Sequence, residues 1–221
     1  MDYSFNFRLV WDKKAYLLPG VLISLQVMAI SFCVALVIGL FVGTLLLSKR
    51  HFLNRAARVY VEVCRNTPAL VQLIWIFYCL PILLNIDINA VLASIVALAI
   101  NSGAYMSEDF RAGIQAIDKG EVEASRALGM SYRQTMQKIV LPQAFRILIP
   151  PLVNHAVSLT KWSSLVSVLG VADLTYRGQY LASETFRPME IFTAIGIVYF
   201  FITFMLSSVV KMLEKRWRLK Y

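Results

Sequence analysis

Five long apolar blocks alternate with short polar segments along the chain. They run from about Pro19 to Leu47, Pro68 to Leu84, Ile88 to Phe110, Ile147 to Leu169 and Met189 to Leu213. Each approaches or exceeds the ~20 residues that a helix needs to cross bilayer hydrocarbon. The pattern predicts an all-α fold, a polytopic bundle of about five transmembrane helices. Ahead of the first block, Tyr3 to Leu18 interleaves Phe5, Phe7, Trp11 and Tyr16 with Arg8, Lys13 and Lys14. That mixture suits a helix lying at the membrane surface with its rings at headgroup level, or a disordered tail. The apolar run that follows is about 29 residues, longer than the ~7–15 of a secretory signal core, so it is expected to stay in the mature protein. The domains expected are an interfacial segment (1–18), a transmembrane domain (19–213) and a basic tail (214–221). In the first block, Gly39 and Gly43 form a small-residue pair that lets another helix approach closely.

Residues 111–146, between the third and fourth blocks, are polar and basic. Glu121 to Leu128 is rich in strong helix formers. Gly129 follows, where a left-handed C-cap would end that helix. Ser131 and Gln134 have the spacing of a capping box for a second helix, up to about Val140. Pro142 disfavours helix at Leu141 and marks its stop. Helix, tight turn and helix make a stiff hairpin, which serves as a handle for a partner or as a connector lying on the membrane.

Charge decides the topology. The chain is 58% hydrophobic, above the ~45–50% of soluble domains, and carries a net charge of +9. Sixteen of the 22 Lys and Arg residues fall in the loop after block one, in the hairpin segment and in the tail; five fall in the N-terminal arm and the other two loops. This bias puts the N-terminus outside and the hairpin and C-terminus in the cytoplasm. It accounts for the basic charge without a nucleic-acid partner. Cys33, Cys64 and Cys79 have no disulfide or metal spacing, and His51 and His155 stand too far apart for a metal site.

Lys161 is the one remaining cation, about 14 residues into the fourth block. Placing it there costs ~2.5–3.5 kcal/mol on the lower scales, so it is a candidate functional residue that needs a partner. Ser158 and Ser164 lie one turn away on either side, with Ser163 and Asn154 nearby. Asn101 and Ser102 in block three, Gln72 in block two, and Ser24 and Gln26 in block one could join them in a polar chamber. Lys161 would then touch substrate, or it would pair with Glu108 and only fix helix packing. Arg65 and Glu108 are candidates for an ion pair or gate.

The spacing Glu123-Ala124-Ser125, Gly129, Ile139, Leu141-Pro142 resembles the EAA loop of the membrane subunits of ATP-binding-cassette importers, with Ser125 where the loop has alanine. The stretches YVEVCRNTPALVQL (60–73), INSGAYMSEDFRAGIQ (100–115) and SLTKWSSLVSVLGVADL (158–174) are similar to the branch that carries polar amino acids such as His, Glu, Gln, Arg and opines. The resemblance covers about residues 15–215. It implies the type I importer membrane-domain fold and a place in the inner membrane of a bacterium. It also implies four partners: a cytoplasmic ATPase subunit that grips the loop and binds ATP and Mg, an extracytoplasmic binding protein, a second permease subunit, identical or sister, and the amino acid itself. Glu123 would anchor the ATPase or simply favour the helix dipole. The chain has no phosphate-binding glycine loop, so it is expected to be a transport subunit, with no catalytic residue and no cofactor of its own. Where the family has Asp after the lysine of the fourth block, this chain has Trp162. That removes a carboxylate suited to basic substrates and leans the reading toward acidic or neutral polar amino acids. Two other classes stay open: an intramembrane hydrolase using Lys161 with Ser158 or Ser164, and a small channel or structural membrane protein.

Overall fold

The computed structural model describes residues 4–218; the side chains of residues 210, 211 and 213–218 lie outside that description. The basic charge of the tail (214–221) and the start of the N-terminal arm at Tyr3 therefore fall outside the described residues. Among those described there is no strand. Ten α-helices follow in order: α1 (Arg8–Asp12), α2 (Lys14–Leu46), α3 (His51–Asn66), α4 (Ala69–Leu84), α5 (Ala90–Gln115), α6 (Lys119–Ala127), α7 (Tyr132–Thr135), α8 (Leu141–Trp162), α9 (Leu174–Thr185) and α10 (Pro188–Arg218). A π turn (Met136–Val140) joins α7 to α8, and a 3-10 turn (Ser163–Leu169) extends α8.

Three helices are each long and apolar enough to cross a membrane: α2, α5 and Pro188–Val209 of α10. The pair α3–α4, bent by 106° at its break, makes up to four. The fourth block of the sequence becomes the distal part of α8 and the 3-10 turn. It carries Asn154, His155 and Lys161 and does not stand out by apolar length. Block two likewise gives only a 16-residue helix, α4, turned sharply away from the direction of α3.

Lipid tails are as apolar as leucine, so close packing rather than hydrophobic transfer holds such helices together. The α2–α5 contact meets that demand. A Cβ placed on Gly39 would lie 2.7 Å from Met106 Cβ, and one on Gly43 would lie 2.8 Å from Phe110 Cβ. The two glycines thus form the seam between α2 and α5. The main core fills the space between α2, α4, α5, α8 and the 3-10 turn with Val27, Leu73, Leu98, Leu159 and Val166. A second cluster, Leu17, Leu174, Leu181, Ile191 and Ile195, ties α9 to α2 and α10.

The α9 end is further held by polar groups. Gly20 lets the Arg177 stem cross α2, and a Cβ there would lie 2.8 Å from Arg177 Cδ. The guanidinium donates to the carbonyls of Tyr16 and Ala172, each at 3.0 Å. Asp173, fully buried, caps α9 by accepting from the Tyr176 N–H at 2.8 Å, and Tyr199 donates to its other oxygen at 3.3 Å. Burial pushes the Asp173 carboxyl above the usual carboxylate range, while the Tyr176 and Thr175 N–H groups and the Tyr199 and Ser24 hydroxyls pull it back.

Two expectations from the prolines are corrected. Pro142 does not stop the second hairpin helix. It is the second residue of α8, directly after the π turn and inside a continuous helical run. The π turn absorbs the mismatch, with the Leu141 N–H reaching back five residues to the Met136 carbonyl. The fourth apolar block, read as a span from about Ile147, would put Pro150 and Pro151 in its first turn; they lie instead inside α8.

Candidate functional site

Two regions gather the candidate residues. The first is the hairpin. Asp118 caps α6 by accepting from the Gly120 N–H at 2.7 Å. At the other end Gly129 has φ +75°, and two bonds close a Schellman motif: Met130 N–H to the Ser125 carbonyl at 3.0 Å and Gly129 N–H to the Arg126 carbonyl at 2.9 Å. The Ser131–Gln134 capping box forms with both of its bonds, at 3.3 and 2.8 Å. Ser125 is buried, donates to the Val122 carbonyl and lies 2.9 Å from the Thr135 hydroxyl, pinning α6 to α7. Gln143 donates to Glu121 and ties α6 to α8.

The hairpin is therefore locked internally and open externally. Leu128 and Tyr132, 81% and 76% exposed, project from its tip. Ala124, Ser125, Ile139 and Pro142 line one cleft of about 360 Å³. Glu123 lines a different cleft, of about 410 Å³, with Lys119, Arg126 and Tyr132. Leu141 lines neither and only starts α8. Sequence reasoning missed Thr135, Leu128 and Tyr132; the exposed apolar pair at a turn was the available signal.

The second region is the elbow between α3 and α4. Pro68 has no N–H, so the Cys64 carbonyl loses its helical donor four residues on. Gln72 Nε2 donates to it at 2.7 Å and Asn101 Nδ2 at 3.2 Å, and the two side chains bond each other at 3.2 Å. The neighbouring carbonyls are served the same way: Glu62 by Asn66, Val63 by Thr67 and Arg65 by Tyr105, at 2.8, 2.7 and 3.3 Å. Gln72 and Asn101 do come together, but on a helix end. Asn101 Oδ1 and Ser102 Oγ are buried with no partner among the described residues.

Beside the elbow, a cleft of about 360 Å³ holds Arg58, Glu62, Arg65, Tyr105 and Glu108. Arg65 and Glu108 thus share a cleft without pairing: Arg65 lies over the Tyr105 ring at 5.3 Å, and Glu108 takes Arg111 at 2.5 Å. Tyr105 continues the surface to His155 and Trp162, with ring centres 6.3 and 6.1 Å away. His155 Nε2 lies 2.5 Å from Asp109 and joins α8 to α5, a pair that sequence spacing of 46 residues hid.

Lys161 is exposed on α8 and forms no ion pair among the described residues, so the pairing with Glu108 is absent. Ser163 and Ser164 turn their hydroxyls back to the carbonyls of Thr160 and Lys161, at 2.8 and 2.7 Å. The Ser164 hydroxyl is thus turned to its own helix backbone rather than to the Lys161 ammonium. Ser24 is not brought to Lys161. It accepts from the Leu174 N–H at 3.3 Å and lies 3.4 Å from the Tyr199 hydroxyl, in the network under α9.

The sequence pattern of the family described as binding-protein-dependent transport system inner membrane component matches residues 35–219. The glutamine transport system permease protein GlnP of Escherichia coli is 36% identical over 217 residues, 98% of this chain and 99% of that protein. The arginine transport system permease protein ArtQ of Bacillus subtilis is 35% identical over 213 residues, 96% of this chain and 97% of that protein. A chain in the crystal structure of an amino acid ABC transporter with histidines superposes with a TM-score of 0.91 at 34% identity, covering 97% of this chain and all of that one. An inward-facing MetNI methionine ABC transporter chain, at 23% identity and a TM-score of 0.71, shares the fold.

Proposed function

The chain belongs to the binding-protein-dependent transport system inner membrane component family, and from that membership we propose the following division of labour within an amino acid importer. The chain is the permease subunit, and ATP is hydrolysed on a separate cytoplasmic subunit. That ATPase grips the hairpin at Leu128, Tyr132 and the cleft lined by Glu123. An extracytoplasmic binding protein delivers the substrate on the side of the N-terminus. A second permease subunit, identical or sister, completes the path. The face of α5 and α8 that carries Tyr105, Trp162 and Lys161 lines that path. Trp162 and the ammonium of Lys161 favour a neutral or acidic polar amino acid, glutamine being the first to test.

The observation that carries the coupling role is the construction of the hairpin. A segment that only connected two helices would need neither a Schellman motif and a capping box in sequence nor a buried Ser125–Thr135 contact. Together they fix the tip as one rigid body while leaving its apolar side chains exposed. The test is Gly129→Asp in proteoliposomes holding the ATPase and the binding protein. Aspartate tolerates the left-handed backbone better than most residues, and no atom lies within 4 Å of its Cβ position. The subunit should therefore insert normally, while amino acid uptake falls relative to ATP hydrolysis. Uptake at the wild-type ratio would remove the hairpin from coupling.

A further inference from the structure

Under α1 lies a groove of about 260 Å³ walled by α1, α2 and α10. Its floor is buried Leu174 and Ile195; its walls include Leu18 and Val198 and, at the mouth, Trp11. The lining is apolar apart from Lys14, the first residue of α2. The Lys14 ammonium sits 3.9 Å from the centre of the Trp11 ring, which holds it at the mouth. Trp11 is itself 69% exposed.

The position along α2 gives the groove its depth. From Lys14 to Val21, the deepest α2 residue in the lining, the helix rises on the order of 10 Å. One end is therefore at headgroup level, where tryptophan and lysine settle, and the other is in hydrocarbon. Arg8 and Lys13 add two cations close to Lys14 in sequence, and α1 itself carries one carboxylate, Asp12. An apolar slot of acyl-chain character, with a fixed ammonium at its wet end, is complementary to one kind of ligand.

We propose that this groove binds one acyl chain of an anionic phospholipid, with the headgroup phosphate on Lys14. The site goes beyond the transport reading, and its failure would leave that reading untouched. A protein segment is a poorer occupant, because Lys14 offers it only one polar contact and the groove offers no backbone partner.

The test uses the assembled transporter with Trp75, Trp162 and Trp217 of this chain replaced by Phe, and the Trp11 emission is read as the difference from the same assembly carrying Trp11→Phe as well. It is reconstituted in phosphatidylcholine containing a small fraction of chain-brominated phosphatidylglycerol or chain-brominated phosphatidylcholine. The anionic lipid should quench Trp11 at about fivefold lower mole fraction, the preference expected of one cation beside an anionic headgroup. Lys14→Gln should abolish the preference and Lys14→Arg should keep it. Val198→Phe, which fills the groove, should weaken quenching by both lipids. Equal quenching by the two lipids in the parent protein would mean annular contact only and would overturn the proposal. So would a Trp11 that neither lipid reaches, or a preference that survives Lys14→Gln.

Discussion

Gln72 and Asn101 offer the sharpest test of how this chain uses polar side chains. Both donate to the Cys64 carbonyl, which Pro68 deprives of its helical donor. Either one suffices to satisfy the carbonyl, so the single variants Gln72→Met and Asn101→Leu should each lower stability by about 1 kcal/mol, the net worth of an ordinary hydrogen bond. The double variant leaves a carbonyl in the protein interior with no side-chain donor, a loss of about 1–3 kcal/mol on top of the bonds. The double should therefore exceed the sum of the singles by about 1 kcal/mol or more, a coupling of the size seen for residues sharing one partner. Reversible unfolding in mixed detergent micelles measures this directly. Amino acid uptake in proteoliposomes, run in parallel, should show the KM of the singles unchanged. If instead the singles were as stable as wild type and shifted the KM, the two amides would belong to the substrate path and the elbow argument would be wrong.

Gly39→Val would force α2 and α5 apart at Met106, so the melting midpoint should fall by an amount equal to roughly 1–3 kcal/mol; a midpoint equal to wild type would show the seam to be loose. Asp173 has a raised carboxyl pKa, so its contribution is complete below the ordinary carboxylate value and is lost as pH rises through the higher folded value. Asp173→Asn keeps a side-chain oxygen for capping α9 and should flatten the decline of stability with rising pH; an unchanged slope would assign that decline to other groups. Lys161→Ala should lower uptake or relax selectivity among amino acids, and identical uptake across a panel would take Lys161 out of the path.

Residues that act locally make much of this fold legible in the sequence. Gly129, Ser131 and Gln134 act within a few residues of themselves, so their turn and capping box could be read from spacing. Gly39 and Gly43 could be read as a close-approach seam, although not that α5 fills it. What escaped were consequences of tertiary pairing. Gln72 and Asn101 look the same in sequence whether they face a substrate or a helix end, and the 106° bend decides between the two. Pro142 reads as a stop because the pattern rules assume α-helical bonding, and a π turn changes that bonding. The separation of Ser24 from Lys161 depends on α9 folding back over α2, which no periodicity encodes.

The π turn also has a mechanical meaning. Because α7 runs into α8 without a loop, the hairpin tip and the residues up to Trp162 form one linkage. The two missing N–H groups at Pro150 and Pro151 make the weakest point along it. They divide α8 into an inner arm of about 14 Å and an outer arm of about 17 Å. Torque applied at the tip would thus work like a crank with a knee, swinging the arm that ends in Lys161 while the arm nearest the hairpin stays fast to its driver.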